Sequence, residues 1–158
     1  MQPNPTRVET LMTKDVKCCY PSDSLNVAAQ KMWDFGVGSL PVVDHDHRAL
    51  GMITDRDIAM AAYTRGRLLE AIAVDEAFSG KLYAARLGDS SAKAEELMRK
   101  GGVHRIPVLD DADHLVGLLS LDDLAQSARA IGPVTYREVA ETLAAVCTRR
   151  QALGPGVA

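Results

Sequence analysis

The chain has 158 residues, 47% of them apolar, and a formal net charge of −3 with acids and bases interspersed. That suits one compact domain or two small ones with a buried core, and it argues against a nucleic-acid binder, which carries a basic face or stripe. No apolar run approaches the roughly 20 residues that span a bilayer. The N-terminal stretch has no apolar h-region, so no signal peptide is expected. Cys18, Cys19 and Cys147 form no CxxC pattern; three sparse cysteines fit a reducing cytoplasm and read as small buried hydrophobes. The first six or so residues and the last handful read as loose ends.

In chain order, residues 7–13 read as a short helical lead, followed by a short strand near Val16 to Tyr20. Pro21-Ser22-Asp23-Ser24 is a turn that offers a helix N-cap. Leu25, Ala28, Ala29 and Met32 then recur at helical spacing, and Gly36 stops that helix. Trp33 and Phe35 at its end read as packing residues. Leu40-Pro41-Val42-Val43 is a short apolar strand with proline near its start, where it is tolerated. Asp44-His45-Asp46-His47 reads as a polar turn, with no further ligand nearby in sequence to suggest a metal. Leu50 to Ile53 is a second strand, and Thr54 opens a helix running to about Tyr63.

The same order then returns. Val8 falls on Val74, Ser24 on Ser90, Met32 on Met98, Gly36 on Gly102, Pro41 on Pro107, Gly51 on Gly117 and Asp57 on Asp123, a single gapless offset of 66 residues. We read two copies of one supersecondary unit, residues 7–66 and 74–130, neither able to bury its apolar face alone. Residues 135–150 lie outside the repeat. Thr135 and Glu138 fit a capping box, and Tyr136, Val139, Ala140, Leu143, Val146 and Cys147 form one apolar stripe of an amphipathic C-terminal helix.

Two stretches carry the chemistry, Gly51-Met52-Ile53-Thr54-Asp55-Arg56-Asp57 and Gly117-Leu118-Leu119-Ser120-Leu121-Asp122-Asp123. Thr or Ser at an N-cap with an acid three residues on is close to a capping box, and spacing alone favours that structural role. A carboxylate at the third residue of a helix also suits two vicinal hydroxyls, and the helix-start N–H groups with the dipole favour phosphate. The glycine lets a ligand or a backbone come close. Arg56 reads equally as a fork of donors for phosphate and as a solvated surface arginine. No nucleophile elbow, triad signature, GxGxxG or P-loop is present, so neither catalysis nor a required cofactor is expected.

These stretches, each preceded by a matching strand (Val37 to Asp44, Val103 to Asp110) and opened by Leu11-Met12-Thr13, resemble the CBS (cystathionine beta-synthase-type) domain over about residues 7–130. The resemblance implies an α/β (α+β) fold of two β-α-β-β-α CBS units packed by their sheets around a pseudo-two-fold axis, plus the C-terminal helix. It further implies two clefts holding an adenosine-containing ligand: AMP, ADP, ATP, an NAD-type dinucleotide or S-adenosylmethionine, with AMP and ATP foremost. Carried over residue by residue, Asp57 and Asp123 bond ribose hydroxyls. Thr54 and Ser120 sit near ribose and phosphate. Thr13, Val16, Ser39, Pro41, Leu82, His104, Arg105 and Pro107 line the clefts, and Arg56 meets phosphate. Arg105 also reads as an ordinary salt-bridge partner. A cytoplasmic regulatory homodimer without membrane or nucleic-acid partners is expected, or else a ligand-free scaffold. The copies differ at Arg56 against Asp122 and at Ser39 against Arg105, so the clefts are expected to be unequal, the Thr54–Asp57 one holding a phosphorylated ligand more tightly.

Overall fold

The structure, a computed structural model, describes residues 6–129 and 134–152, with side chains in the last helix described through Thr148. Most of the stretches read as loose ends, and Ala130 at the close of the second copy, lie outside the described residues. Local sequence sets the helix ends. Ser24 accepts the Val27 N–H at 3.3 Å and starts α1 (Leu25–Phe35), which stops at Gly36 in the left-handed region with φ 63°. One offset later, Ser90 accepts the Lys93 N–H at 3.2 Å and starts α3 (Ser91–Gly101), which stops at Gly102 with φ 66°.

The chain forms two compact units. One comprises residues 17–82 and 112–115. Its strands β1 (Ser39–Val43) and β2 (Ala49–Thr54) pair antiparallel, with Ser39 opposite Thr54 and Pro41 opposite Met52, and lead into α2 (Asp55–Arg65). The strand expected near Val16 to Tyr20 is reduced to a single parallel bridge, Cys19 to Val42 on the outer edge of β1. On the outer edge of β2, Ser79 pairs antiparallel with Met52. Leu25, Ala28 and Met32 of α1 bury against Leu40, Val42 and Ile53, with Ile58, Ile72 and Val74 completing the core.

The other unit holds residues up to 16, 83–111 and from 116 onward. Its sheet runs β3 (Ala85–Arg86), β4 (Arg105–Leu109), β5 (Leu115–Ser120), with β3 parallel to β4. Thr13 lies antiparallel to Leu118 on the edge of β5, through two backbone bonds of 2.9 Å. Helices α4 (Leu121–Arg129) and α5 (Tyr136–Ala152) follow. Val8, Ala94, Met98, Ile106, Val108, Leu119, Leu124 and Val146 form the core.

The compact units therefore do not coincide with the sequence copies. The lead segment of the first copy packs with the body of the second, and the lead segment of the second packs with the body of the first. The motif glycines make room for this. A Cβ on Gly51 would meet the Ser79 carbonyl oxygen and the Phe78 ring at 2.8 Å, and one on Gly117 would meet Met12 Cγ at 2.9 Å and the Thr13 carbonyl at 3.1 Å.

Two sequence expectations change. Trp33 is 86% and Phe35 52% exposed, the latter with Lys17 Nζ 5.3 Å above its ring. In α5 the buried positions are Thr142 and Val146 with Val139 half-buried, while Tyr136, Ala140, Leu143 and Cys147 face outward. The docked face is thus turned from the apolar stripe by one polar residue, Thr142. Among the described residues no helix is long and apolar enough to cross a membrane.

Gly51→Ala is expected to destabilise the fold by about 1–3 kcal/mol through overpacking against the Ser79 backbone. Gly80→Ala, with open space around its Cβ, is expected to be close to neutral. Urea midpoints of the two variants check this; equal midpoints would show that the crossing at Gly51 is not tight.

Candidate functional site

The helix that follows β2 begins with a reciprocal cap. Asp57 Oδ2 accepts the Thr54 backbone N–H at 2.8 Å and the Thr54 hydroxyl at 2.7 Å, and Thr54 Oγ1 accepts the Asp57 N–H at 3.2 Å. The second copy repeats it: Asp123 Oδ2 accepts the Ser120 N–H at 2.8 Å and its hydroxyl at 2.6 Å, and Ser120 Oγ accepts the Asp123 N–H at 3.2 Å. The capping reading of both motifs is therefore met in the geometry. It does not exhaust the carboxylates, since an ionised Asp has about four acceptor sites on its two oxygens.

A second tie fixes each helix start to the strand ahead of it. The Asp55 N–H donates to the Gly38 carbonyl at 3.0 Å, and the Leu121 N–H donates to the His104 carbonyl at 2.9 Å. The first residue of each strand, Ser39 or Arg105, is thereby held beside the helix N-terminus. Ser39 is buried, stands directly opposite Thr54 in the ladder, and its hydroxyl has no hydrogen-bond partner among the described residues. Leaving a buried hydroxyl unsatisfied costs free energy, so this atom is poised to accept or donate to something that enters.

The charged positions differ between copies. Arg56 is exposed and makes no ion pair among the described residues. Arg105, half-buried on β4, lies 3.9 Å from the exposed Asp122, so the ordinary salt-bridge reading of Arg105 is realised, loosely. Sequence reasoning gave no role to Asp55, whose carboxylate accepts the Arg56 N–H at 2.7 Å and would lie 3.2 Å from a Cβ on Gly38. Its signal was its place inside the motif, where the second copy has Leu121.

The remaining residues divide between the units. Thr13, exposed on the edge of β5, and half-buried Val16 fall in the unit of His104, Arg105, Pro107, Ser120 and Asp123. Half-buried Leu82 falls with Ser39, Pro41, Thr54, Arg56 and Asp57. Pro41 and Pro107 are buried in their strands, and the Pro41 carbonyl accepts the Cys19 N–H at 3.0 Å. Burial pushes the Cys19 thiol up to about 12, against the opposing charge of Lys31, and Cys18 is raised for the same reason. Neither supplies a thiolate at neutral pH. Cys147 is exposed, contrary to the buried reading.

This arrangement has clear relatives. The CBS domain-containing protein YhcV of Bacillus subtilis is 35% identical over 118 residues, covering 75% of this chain and 82% of YhcV. Among solved structures, CBSX2 in complex with AMP gives a TM-score of 0.70 at 22% identity, over 79% of this chain and 97% of that one. The CBS domain pair of MJ0100, in complex with 5′-methylthioadenosine and S-adenosyl-L-methionine, gives 0.70 at 23% identity, over 78% of this chain and 95% of that one. The sequence model of the CBS domain matches twice, at residues 8–63 and 78–129, so both capped motifs sit inside matched repeats and the chain belongs to the CBS domain family.

Proposed function

We propose that the chain is a regulatory module that binds an adenosine-containing nucleotide, AMP or ATP foremost, and responds by a shift between conformations or partner affinities. One observation carries the reading. In both units a capped helix start presents an acid and a hydroxyl beside a polar strand residue, and on one of them the Ser39 hydroxyl is buried without a partner among the described residues. The adenosine ligands of CBSX2 and MJ0100 support the ligand class. In this reading Asp57 and Asp123 accept from ribose hydroxyls, and Thr54 and Ser120 lie near ribose and phosphate. Main-chain groups around Pro41 and Pro107 meet the adenine edge. Val16 and Thr13 serve the Ser120–Asp123 site, and Leu82 serves the Thr54–Asp57 site.

The sites are unequal. The Arg56 guanidinium has no acidic partner among the described residues, whereas Arg105 leans toward Asp122. A charge-assisted bond from Arg56 to phosphate contributes roughly 1.5–3 kcal/mol when well placed. A ligand-free scaffold is the second reading, and the self-satisfied caps favour it, because each motif acid already has two donors.

A thermal-shift series with AMP, ADP, ATP, NAD and S-adenosylmethionine distinguishes the two. A bound ligand at a hundredfold excess over its dissociation constant adds about 2.7 kcal/mol of apparent stability; no shift with any of them supports the scaffold. By calorimetry, Asp57→Ala is expected to weaken the ligand about tenfold or more, and more than Asp123→Ala. Because Asp57→Ala also removes a cap worth about 1 kcal/mol, the titration is run well below its melting temperature. Equal losses, or loss only in Asp123→Ala, overturn the ranking.

We also propose a homodimer. Helices α1 and α2 pack together and leave Trp33 86%, Tyr63 82% and Met60 43% exposed, and such side chains are enriched in interface cores. Light scattering at tens of micromolar should give twice the chain mass of 17.0 kDa. Trp33→Glu combined with Tyr63→Glu should give a monomer that still folds; an unchanged dimer would place the interface elsewhere.

A further inference from the structure

Helix α5 packs on α3 and α4, and at its centre the contact is polar. Glu95 of α3 is only 4% exposed, and its Oε1 has no hydrogen-bond partner among the described residues. Its Oε2 lies 4.0 Å from Arg99 Nη1, and that same nitrogen donates to Thr142 Oγ1 of α5 at 2.7 Å. Thr142 is fully buried. Among the described residues, the charges acting on Glu95 are Arg99 from its own helix and Glu138 and Glu141 from α5. Glu141 is itself held by Arg137 at 2.8 Å, and Glu138 accepts from the Thr135 hydroxyl and N–H at 2.8 Å. The repeat sharpens the point. At the offset positions the first copy has Ala29 for Glu95 and Trp33 for Arg99. The buried acid occurs only in the copy that α5 covers.

We propose that Glu95 makes α5 a proton-sensitive latch: α5 seats firmly on α3 when the Glu95 carboxyl is neutral and loosens when it is ionised. A buried carboxylate with one distant cation and two acids nearby is poorly compensated. Burial raises the carboxyl first, Glu138 and Glu141 add to it, and Arg99 opposes them. The sign follows. The seated state binds the proton more tightly than the released state, where Glu95 returns to an ordinary glutamate. Seating is therefore strongest below the ordinary value of 4.5, weakens as pH rises through the raised value, and levels off above it.

Hydrogen exchange on the full chain tests this, with α5 amide protection corrected for the intrinsic pH dependence of exchange and referred to amides of α1. In the wild type, α5 protection is expected to fall by up to about tenfold per pH unit, the limit for one proton, within the window above 4.5. Glu95→Gln should hold α5 at its low-pH protection across the range. Glu95→Ala, which restores the residue of the first copy, should also flatten the profile even if Gln packs poorly. The proposal is overturned if wild-type α5 protection does not change with pH, or if both variants keep the wild-type slope.

Discussion

The close crossing at Gly51 and Gly117 is the constraint on which the rest of the molecule depends. At each glycine a backbone segment from the other sequence copy passes where a side chain would otherwise stand. Ser79 thereby adds to the edge of β2, and Thr13 to the edge of β5. An uncovered edge strand is a site for unwanted pairing, and each copy supplies the other's missing edge. The motif glycine is thus structural before it is anything else. It sits three residues ahead of the cap hydroxyl, so the crossing also fixes where β2 and β5 end and where the next helix begins. Once Gly51 is pinned against Ser79, the ladder pairs Ser39 with Thr54, and the strand start, the cap and the helix N-terminus are brought to one place.

What could be read from the sequence was what local chemistry decides. The serine and threonine caps at Ser24, Ser90, Thr54, Ser120 and Thr135, and the glycine stops at Gly36 and Gly102, depend on a few consecutive residues, and all formed where expected. The offset of 66 residues was legible because two copies under the same packing demands keep the same pattern. Which sheet each lead segment joins was not legible: residues 7–13 read as a short helical lead, and nothing in that pattern says on which edge the segment lies. Trp33 was misread because a large apolar residue at a helix end looks like core until the buried face is known. In α5, periodicity points to Leu143 and Cys147 and passes over Thr142, because a buried threonine that accepts from Arg99 of α3 has no hydrophobic signature.

The candidate site divides the same way. Thr54, Asp57, Ser120 and Asp123 stood out as paired motifs, and their internal bonds came as the spacing required. The orphaned hydroxyl of Ser39 and the position of the Asp55 carboxylate depend on the ladder register and the tie to Gly38, which are long-range facts. The cap also bears on binding. A carboxylate held by two donors on one oxygen cannot rotate freely, so its remaining lone pairs point in a fixed direction. Fixing it in advance lowers the ordering cost that a ligand would otherwise meet. The caps therefore leave acceptor capacity on Asp57 and Asp123 for the ligand contact proposed above.

The asymmetry between the copies cannot be reduced to net charge. Ser39, Asp55 and Arg56 sum to zero, and so do their counterparts Arg105, Leu121 and Asp122. What differs is who faces whom. In the second copy the acid and the cation approach each other to 3.9 Å, and the acid is 82% exposed, so the pair is weak but still draws Arg105 toward Asp122. In the first copy the acid is turned to the Arg56 backbone N–H and toward Gly38, and the exposed Arg56 makes no ion pair among the described residues. Under the proposed function, a phosphate at that N-terminus would meet a cation without an acidic partner among the described residues, and at the strand the Ser39 hydroxyl, which has no hydrogen-bond partner among them. Equal sums of charge are thus arranged differently on the same backbone, which is the physical basis of the unequal binding proposed for the two repeats.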